Sequence, residues 1–489
     1  MDTEKKAPAP EEARRGSLSG LWMWSVWGVF ALLVILTVCI VGMRAYVRHL
    51  IREEYAKIRA EGYPVTPEEL LKGYPAVPDA ENRYVVYTNA LAAFSVVPPS
   101  LESMPVIGTH IPGKRHFFPK PSDPISPELQ KQLSDFKKHY HPALEKISNA
   151  SSMSGIYIPV NLDFIGIHSG QTSYQIKRIE EVLRIKALAH CVDHEFRGVG
   201  HTFKTQREVA EVLDHYPGWH AFQVNLSTHA VAYASLQDSL NRISMPDETL
   251  IELSALLEKQ NFSQKLPRAF VTERVIIIEG IKALSDPGRR SSITGTSLTP
   301  TLPLSLDYVE WERAVLATGG YLLFEFFSAL GIWEIDQLST LRLFREMIAD
   351  TKKPALHKNF QSKFDKKIQS LPLFAIFTKN YVPLAAKMTE KAMVQEAWRQ
   401  NLLCTLAIER FRHKHKRLPT SFEELVPAYL PSVPVDVFDD KPLRYLPTAK
   451  GYMVYSVGPD GIDDKGVAPL ALGGTHPPGT DVVTLIERP

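Results

Sequence analysis

The feature that most constrains this chain is the run Leu21–Met43, twenty-three residues without a charged side chain. A helix of that length can cross the roughly 30 Å of hydrocarbon in a bilayer. Trp22, Trp24 and Trp27 lie at its first end, and indole rings favour the headgroup region. The run therefore predicts one transmembrane anchor over residues 21–43, with the lipid bilayer as its partner.

Two other structures are compatible with an apolar run near an N-terminus. A cleavable signal peptide has a shorter apolar region and ends in a small-x-small cleavage site, which does not follow Met43. A buried core helix of a globular domain is the second alternative. The length of the run favours an uncleaved anchor over both.

Basic residues flank the anchor in nearly equal numbers and therefore set its orientation only weakly. Lys5, Lys6, Arg14 and Arg15 precede it, and Arg44, Arg48 and Arg52 follow it. A short N-terminal tail usually stays in the cytoplasm, while a long C-terminal region is translocated largely regardless of its charge. We expect a single-pass protein of the plasma (inner) membrane whose C-terminal soluble region is extracytoplasmic.

The composition indicates a soluble region with ordinary hydrophobic cores. The chain has 489 residues, and this length suggests two to three folded units. Apolar residues make up 44% of it, which is enough to form hydrophobic cores. A net charge of +2 argues against a general polyanion binder, so no nucleic-acid partner is expected. Cys39 lies inside the anchor, and Cys191 and Cys404 fall in helical patterns, so we expect two buried thiols rather than a disulfide framework.

The hydrophobic pattern beyond the anchor is mostly helical. Apolar residues from Val47 to Ile58 keep helical spacing, so the membrane helix should continue as a stalk until Gly62 and Pro64 end it. The predicted fold class is mostly α: an N-terminal transmembrane helix, a helical bundle or short solenoid, and a small C-terminal α+β module. The predicted segments are a disordered tail (1–20), the anchor (21–43), a helical stalk (44–97), a proline-rich connector (98–127), a helical domain (128–387) and the α+β module (388–489).

The C-terminal module combines a long helix with short strands. The helix is predicted near Thr389–His413, and Ser421 and Glu424 suggest a capping box for a shorter helix after it. Three runs then have strand character: Leu443–Leu446, Tyr452–Ser456 and Val482–Ile486. A long helix followed by a small antiparallel sheet is typical of a compact α+β unit.

The densest set of metal-ligand residue types is the histidine cluster His190, His194 and His201, with Asp193 and Glu195 between them. Two histidines four apart share a face on a helix and can hold zinc or another divalent ion. The zinc-protease pattern would need a histidine at Gly198, which excludes that class. The alternative is a polar helix end without metal.

The basic run Arg410–Arg417 allows a nucleic-acid or lipid-headgroup interpretation. Such a run is more often a solvated helix end, where positive charges suit the carbonyl terminus. We therefore expect a solvated helix end at Arg410–Arg417.

The C-terminal module resembles the soluble domain of the type II secretion major pseudopilin. The likeness rests on Ile408–Pro419, Ser421–Pro427, Pro434–Phe438, Lys441–Tyr445, Tyr455–Gly461 and Asp463–Asp464, in that order. It covers about seventy residues. The chain departs from the family because Leu21–Met43 lacks the early glutamate of a pilin helix and some 350 residues separate the anchor from the module. The layout of the whole chain resembles that of a class of bacterial single-pass membrane proteins.

The resemblance implies a calcium site, because the aspartate loop of that family can bind calcium. The matching oxygens would come from Ser456, Asp460, Asp463 and Asp464. Hard oxygen ligands on a turn suit Ca²⁺. A solvated Asp/Gly turn between strands is the alternative.

These observations predict a membrane-anchored, extracytoplasmic interaction or scaffold protein with an unidentified protein partner. The motivation is partly negative, because no convincing catalytic set stands out in the sequence. One alternative is a metal-dependent enzyme that uses His190, His194 and His201. Another is an assembly factor for a secretion machine, which the pseudopilin resemblance implies.

Overall fold

The mostly helical fold class is confirmed by a computed structural model. It describes residues 11–94, 97–102, 104, 119–120, 123–159, 168–285, 326, 328–352, 360–468 and 479–487. The helices are α1 (Glu11–Ala60), α2 (Pro67–Leu71), α3 (Arg83–Leu91), α4 (Pro127–Ala150), α5 (His168–Val192), α6 (Phe196–Glu211), α7 (Trp219–Arg242), α8 (Asp247–Glu258), α9 (Phe262–Ser285), α10 (Ile332–Asp350), α11 (Phe360–Gln369) and α12 (Ile376–His415). The strands are β1 (Arg444–Pro447), β2 (Gly451–Ser456) and β3 (Val482–Glu487).

Helix α1 joins the apolar run and the predicted stalk without a break. It is 50 residues long, and its apolar part is exposed and long enough to cross a membrane. It ends before Gly62, which has a φ of +84° that favours glycine. The helix also includes residues 11–20 of the tail predicted to be disordered, since no proline follows Pro10 in this part of the chain.

The second half of α1 is packed into the soluble body rather than standing free. Ile51 and Ile58 are buried in one cluster with Ile278 of α9 and Leu341 of α10. Burial of such side chains stabilises the packed state by about 1.5–3 kcal/mol each. The segment predicted as a stalk therefore holds the body close to the apolar run of α1.

Helix α10 runs parallel to α1. Glu334 in its first turn pairs with Arg44, Arg345 in its middle pairs with Glu61, and Lys352 just after its end lies 5.1 Å from the Tyr63 ring. Residues further along α10 therefore contact residues further along α1, which makes the two helices parallel. The N-terminal end of α10 lies where α1 leaves the apolar run, and both helices lead away from it.

Helix α12 also runs away from this end of the molecule. At its start, the backbone N–H of Phe377 donates to Asp336 of α10 over 2.7 Å. Further along, Arg399 donates to the carbonyl of Leu257 over 3.1 Å, at the end of α8. A helix of 40 residues spans roughly 60 Å. Its C-terminal end therefore lies far from the anchor.

The predicted strands are confirmed and form one antiparallel sheet in the order β1-β2-β3. The register pairs Arg444 with Tyr455 and Tyr452 with Ile486. Burial alternates along β3, and one face of the sheet packs on α12, where the Tyr452 hydroxyl of β2 donates to Glu409 over 2.8 Å. The sheet therefore lies at the end of the body distal to the anchor.

The helical domain and the C-terminal module share a hydrophobic core. Leu402 and Ile408 of α12 are buried together with Leu236 of α7 and with Val454 and Ile486 of the sheet. The domain boundary predicted at residues 387/388 falls inside α12, which continues through Pro383 without ending. A second core joins α3, α4 and α5.

The predicted capping box near residue 421 has a different geometry. Ser421 makes no capping hydrogen bond, and the element that follows is a single 3₁₀ turn, Phe422–Leu425. Glu424 instead accepts from the backbone N–H of Thr420 over 3.0 Å and from the guanidinium of Arg417 over 2.7 Å. Ser421 is therefore the residue before the turn, as predicted, but Glu424 accepts from Thr420 rather than from Ser421.

Candidate functional site

The junction between α1 and α10 is held by two arginines on one carboxylate. Nη2 of Arg44 lies 2.6 Å and Nη2 of Arg48 lies 2.9 Å from Oε1 of Glu334. Burial would raise the pKa of Glu334, but the hydrogen bonds from Arg44 and Arg48 outweigh it and lower that pKa. The carboxylate therefore stays charged and fixes α10 against the helix that carries the anchor.

The backbone around Gly331 fits tightly against the same arginine. Nη1 of Arg44 donates to the carbonyl of Ala329 over 3.1 Å, and a Cβ at Gly331 would lie 2.7 Å from Cγ of Arg44. Gly331 also has a φ of +81°. Only glycine can adopt this positive φ and also leave room for the Arg44 side chain without strain.

Sequence reasoning did not find this junction. Arg44 and Glu334 are 290 positions apart, and neither belongs to a local motif. The one available signal was that Arg44 and Arg48 share a helix face just after the apolar run. Two cations four apart at such a place need a common acidic partner if that face is buried.

The histidine cluster lies at the corner between α5 and α6, and its members do not share a helix face. Helix α5 ends at Val192, and His194 has a φ of 55° in the turn that follows. His201 lies on α6 with an exposed side chain. The shared-face argument for His190 and His194 therefore fails, because it assumed a helix that continued past residue 192.

The polar groups at this corner pair with one another. The imidazole of His190 contacts the carboxylate of Glu195, and Lys137 of α4 bridges Asp193 and Glu195. Burial lowers the pKa of His190 despite the opposing effect of Glu195. A side chain at Gly198 would collide with the His190 ring. This corner has the features of a structural helix end.

The residues predicted to bind calcium separate into two groups. Ser456 is buried, and its hydroxyl donates to Oδ1 of Asp436 over 2.7 Å and accepts from the backbone N–H of Gly458 over 3.2 Å. Asp460 accepts from the backbone of Ile462 and of Gly479 over 3.0 and 2.8 Å. Both residues therefore serve the local backbone.

The other two predicted ligands lie nearer to one another. Asp463 accepts from the Tyr455 hydroxyl over 3.2 Å and pairs with Lys465. Oδ2 of Asp464 is buried without a hydrogen-bond partner, and its backbone N–H donates to Asp481 over 3.4 Å. Burial raises the pKa of Asp481, and the carboxylates of Asp464 and Asp463 add to this effect.

Hydrogen bonds within the protein already engage oxygens of Ser456, Asp460 and Asp463. Within the described ranges, no three His, Cys, Asp or Glu side chains are grouped closely enough to hold one metal ion. Asp481, which sequence reasoning omitted, is better placed beside Asp464 than Ser456 is. Calcium binding at this loop stays a prediction.

Asp436 is the polar centre of the C-terminal module. It is fully buried, accepts from the backbone N–H of Val457 over 3.0 Å and pairs with Arg444 over 2.6 Å. Asp436 thereby joins the proline-aspartate corner, Pro434–Phe438, to β1 and to the end of β2. The corner was noticed in the sequence only through the pseudopilin resemblance.

Both cysteines outside the anchor are buried thiols, as predicted. Burial raises the pKa of Cys191 to about 11, and it raises the pKa of Cys404 further. Neither thiol ionises near neutral pH, so neither has the reactivity of a catalytic cysteine.

The basic run at the end of α12 borders an open groove. Arg410 pairs with Asp247 over 2.8 Å and lies over the Tyr429 ring, while His413 and Lys414 line the same groove. Arg417 pairs with Glu424. Part of the positive charge is therefore neutralised locally, as expected for a solvated helix end.

Comparison of the chain with protein-family models, with curated protein sequences and with solved structures gave no match.

Proposed function

We propose that this protein is a membrane-anchored interaction or scaffold protein whose soluble body lies outside the cytoplasm. The observation that carries the proposal is the continuity of α1. From Trp24 onward its apolar part is outside the body, while its polar part is packed into the body. One helix thus belongs both to the bilayer and to the folded body.

The rigid attachment supports a scaffold role. Because Arg44 and Arg48 hold Glu334, the body is fixed relative to the anchor rather than tethered by a flexible linker. Helix α12 then carries the C-terminal module away from the anchored end. A partner bound there would be held at a set distance from the bilayer.

Membrane fractionation in alkaline carbonate tests the anchor. The full chain is expected in the pellet, and a variant with Leu32→Arg and Leu36→Arg in the soluble fraction, because charge in the hydrocarbon layer opposes insertion. Ile462→Arg with Val467→Arg, two exposed positions in the C-terminal loop, is the matched control and should stay in the pellet. Wild-type protein in the soluble fraction would contradict the proposal.

A photo-crosslinking amino acid tests the partner. Placed at Lys414 in the groove, it is expected to capture a discrete protein, whereas the same residue at Lys146 on α4 should not. Equal capture at both positions would count against a specific partner surface. Elemental analysis separates this function from metal enzymology: near-stoichiometric zinc or iron that is lost in the His190→Ala, His194→Ala variant would overturn a scaffold-only role.

The assembly of a secretion machine is a narrower proposal within the same class. It is supported only by the order of helix and antiparallel strands in the C-terminal module. Co-purification of the full chain with secretion components would support it, and their repeated absence would count against it.

A further inference from the structure

Three large apolar side chains of the soluble body are exposed close to the anchor. Phe326 is 57% exposed, Leu373 84% and Phe374 41%. They come from two separate places, the residues before α10 and the turn between α11 and α12. Large exposed apolar side chains from different elements at one end of a folded body indicate an interaction site.

Phe326 lies at the level where α1 leaves the apolar run. The backbone N–H of Leu330 donates to the Phe326 carbonyl over 3.1 Å, so the two residues are one helical turn apart. Arg44, the first charged residue after the run, donates to the carbonyl of Ala329 in that turn. The contact of Arg44 with this turn therefore places Phe326 near the end of the apolar run.

Leu373 and Phe374 lie on the same side by an independent route. Asp336, two residues after Glu334, accepts from the backbone N–H groups of Phe377 and Thr378 over 2.7 and 3.0 Å. Helix α12 therefore begins at the level of the first turn of α10. Since α12 also leads away from the anchor, the turn that precedes it faces the bilayer end.

We propose that Phe326, Leu373 and Phe374 form a lipid footprint, which inserts into the headgroup region of the leaflet from which α1 emerges. The inference rests on the proposed membrane anchoring. The occupant is the lipid surface because the footprint continues the lipid-exposed face of α1. The Arg48 side chain, 60% exposed at the same level, is suited to lipid phosphates. The body thus contacts the membrane directly as well as through its anchor.

Nitroxide accessibility in lipid vesicles tests the footprint on the full chain. In a Cys39→Ala background, the buried Cys191 and Cys404 stay protected, and single cysteines replace Leu373, Ile462 or Leu36. The vesicles contain phosphatidylethanolamine and phosphatidylglycerol. Collisions with oxygen, which concentrates in lipid, are compared with collisions with a water-soluble nickel complex. The Cys39→Ala protein without an added cysteine gives the background.

The ratio of oxygen to nickel accessibility is expected to be several-fold higher at Leu373 than at Ile462, an exposed position in the C-terminal loop. A ratio at Leu373 as low as at Ile462, with a high ratio at Leu36, would overturn the footprint and leave the anchor intact. Low ratios at all three positions would overturn both proposals. Protection of Leu373 from both reagents would indicate a protein occupant and overturn the lipid assignment.

Discussion

At the scale of single residues, buried ionisable groups control how this fold responds to pH. Glu273 of α9 is buried and accepts one hydrogen bond, from the backbone N–H of Trp219 over 3.2 Å. Burial raises the pKa of Glu273 to about 7 from an ordinary 4.5, more than this hydrogen bond lowers it. The folded state therefore holds a proton that the unfolded chain releases.

This raised pKa predicts a loss of stability as the pH rises. The unfolded chain binds fewer protons than the folded state between about pH 4.5 and 7, so the free energy of unfolding falls across that window. Glu273→Gln should remove the effect and stabilise the protein at pH 8 by up to about 3 kcal/mol, with little change at pH 4. Denaturant unfolding of the full chain in detergent, at both pH values, measures this.

Glu252→Gln on the exposed face of α8 is the control for the same substitution. It should leave the free energy of unfolding unchanged at both pH values. A Glu273→Gln protein that is less stable than wild type at pH 8 would contradict the burial argument.

A second residue-scale prediction concerns the two arginines on Glu334. The Arg44 side chain is 29% exposed and that of Arg48 is 60% exposed. Water screens the more exposed pair more strongly. Double-mutant cycles with Glu334→Gln should give a coupling energy of about 1–2 kcal/mol for Arg44→Gln and under about 1 kcal/mol for Arg48→Gln.

The coupling energy between Glu334 and each arginine should also depend on pH. Since the pKa of Glu334 is lowered in the folded state, its stabilising effect is present above the ordinary pKa and is lost as the pH falls through the folded pKa. Equal coupling energies for the two arginines, or coupling that persists after Glu334 is protonated, would contradict this account of the junction.

At the scale of elements, the start of α12 depends on a cap that comes from another helix. Asp336 of α10 accepts from two backbone N–H groups of α12 and from the Thr378 hydroxyl, over 2.6 Å in the last case. The first N–H groups of a helix have no partner within it. An aspartate supplied from α10 therefore both caps α12 and joins the two helices.

Asp336→Ala should destabilise the protein by about 2–3 kcal/mol, because it leaves buried N–H groups without acceptors. Asp336→Asn keeps one oxygen and should recover part of the loss. Asp365→Ala on α11, whose carboxylate accepts only from the nearby Gln361 side chain, is the matched control. Equal losses for Asp336→Ala and Asp365→Ala, measured by chemical denaturation, would show that the cap is not important.

The sequence was informative wherever the signal is local. The uncharged run and the helical spacing after it predicted α1. The three short runs with strand character predicted the strands within one residue of their bounds. These features depend on contacts between residues close in the chain.

What could not be predicted depends on contacts across the chain. The packing of α1 against α10 joins residues about 290 positions apart, and no spacing rule reports it. The C-terminal helix was predicted to begin near Thr389, yet α12 begins at Ile376 and continues through Pro383, because the flanks of that proline are buried against α11 and α9. The histidine hypothesis assumed a helix that continues past residue 192, and the turn at His194 replaces it. Calcium binding at the C-terminal loop stays a prediction, and the contact of Ser456 with Asp436 was not foreseen for it.

At the scale of the whole molecule, the direction of three helices defines a polarity. Helices α1, α10 and α12 all lead away from the anchored end, and the sheet packs on the C-terminal half of α12. The groove beside Tyr429 is consequently distal, whereas the lipid footprint is proximal. A single orientation of the anchor thus decides which compartment both surfaces face.

The measurement that tests the central claim most directly is the topology of the full chain with a reporter fused after Pro489. The account predicts that a reporter active only outside the cytoplasm is active, while a cytoplasmic reporter at the same position is silent. The opposite pair of results would contradict an extracytoplasmic body. It would place the distal groove and any partner in the cytoplasm.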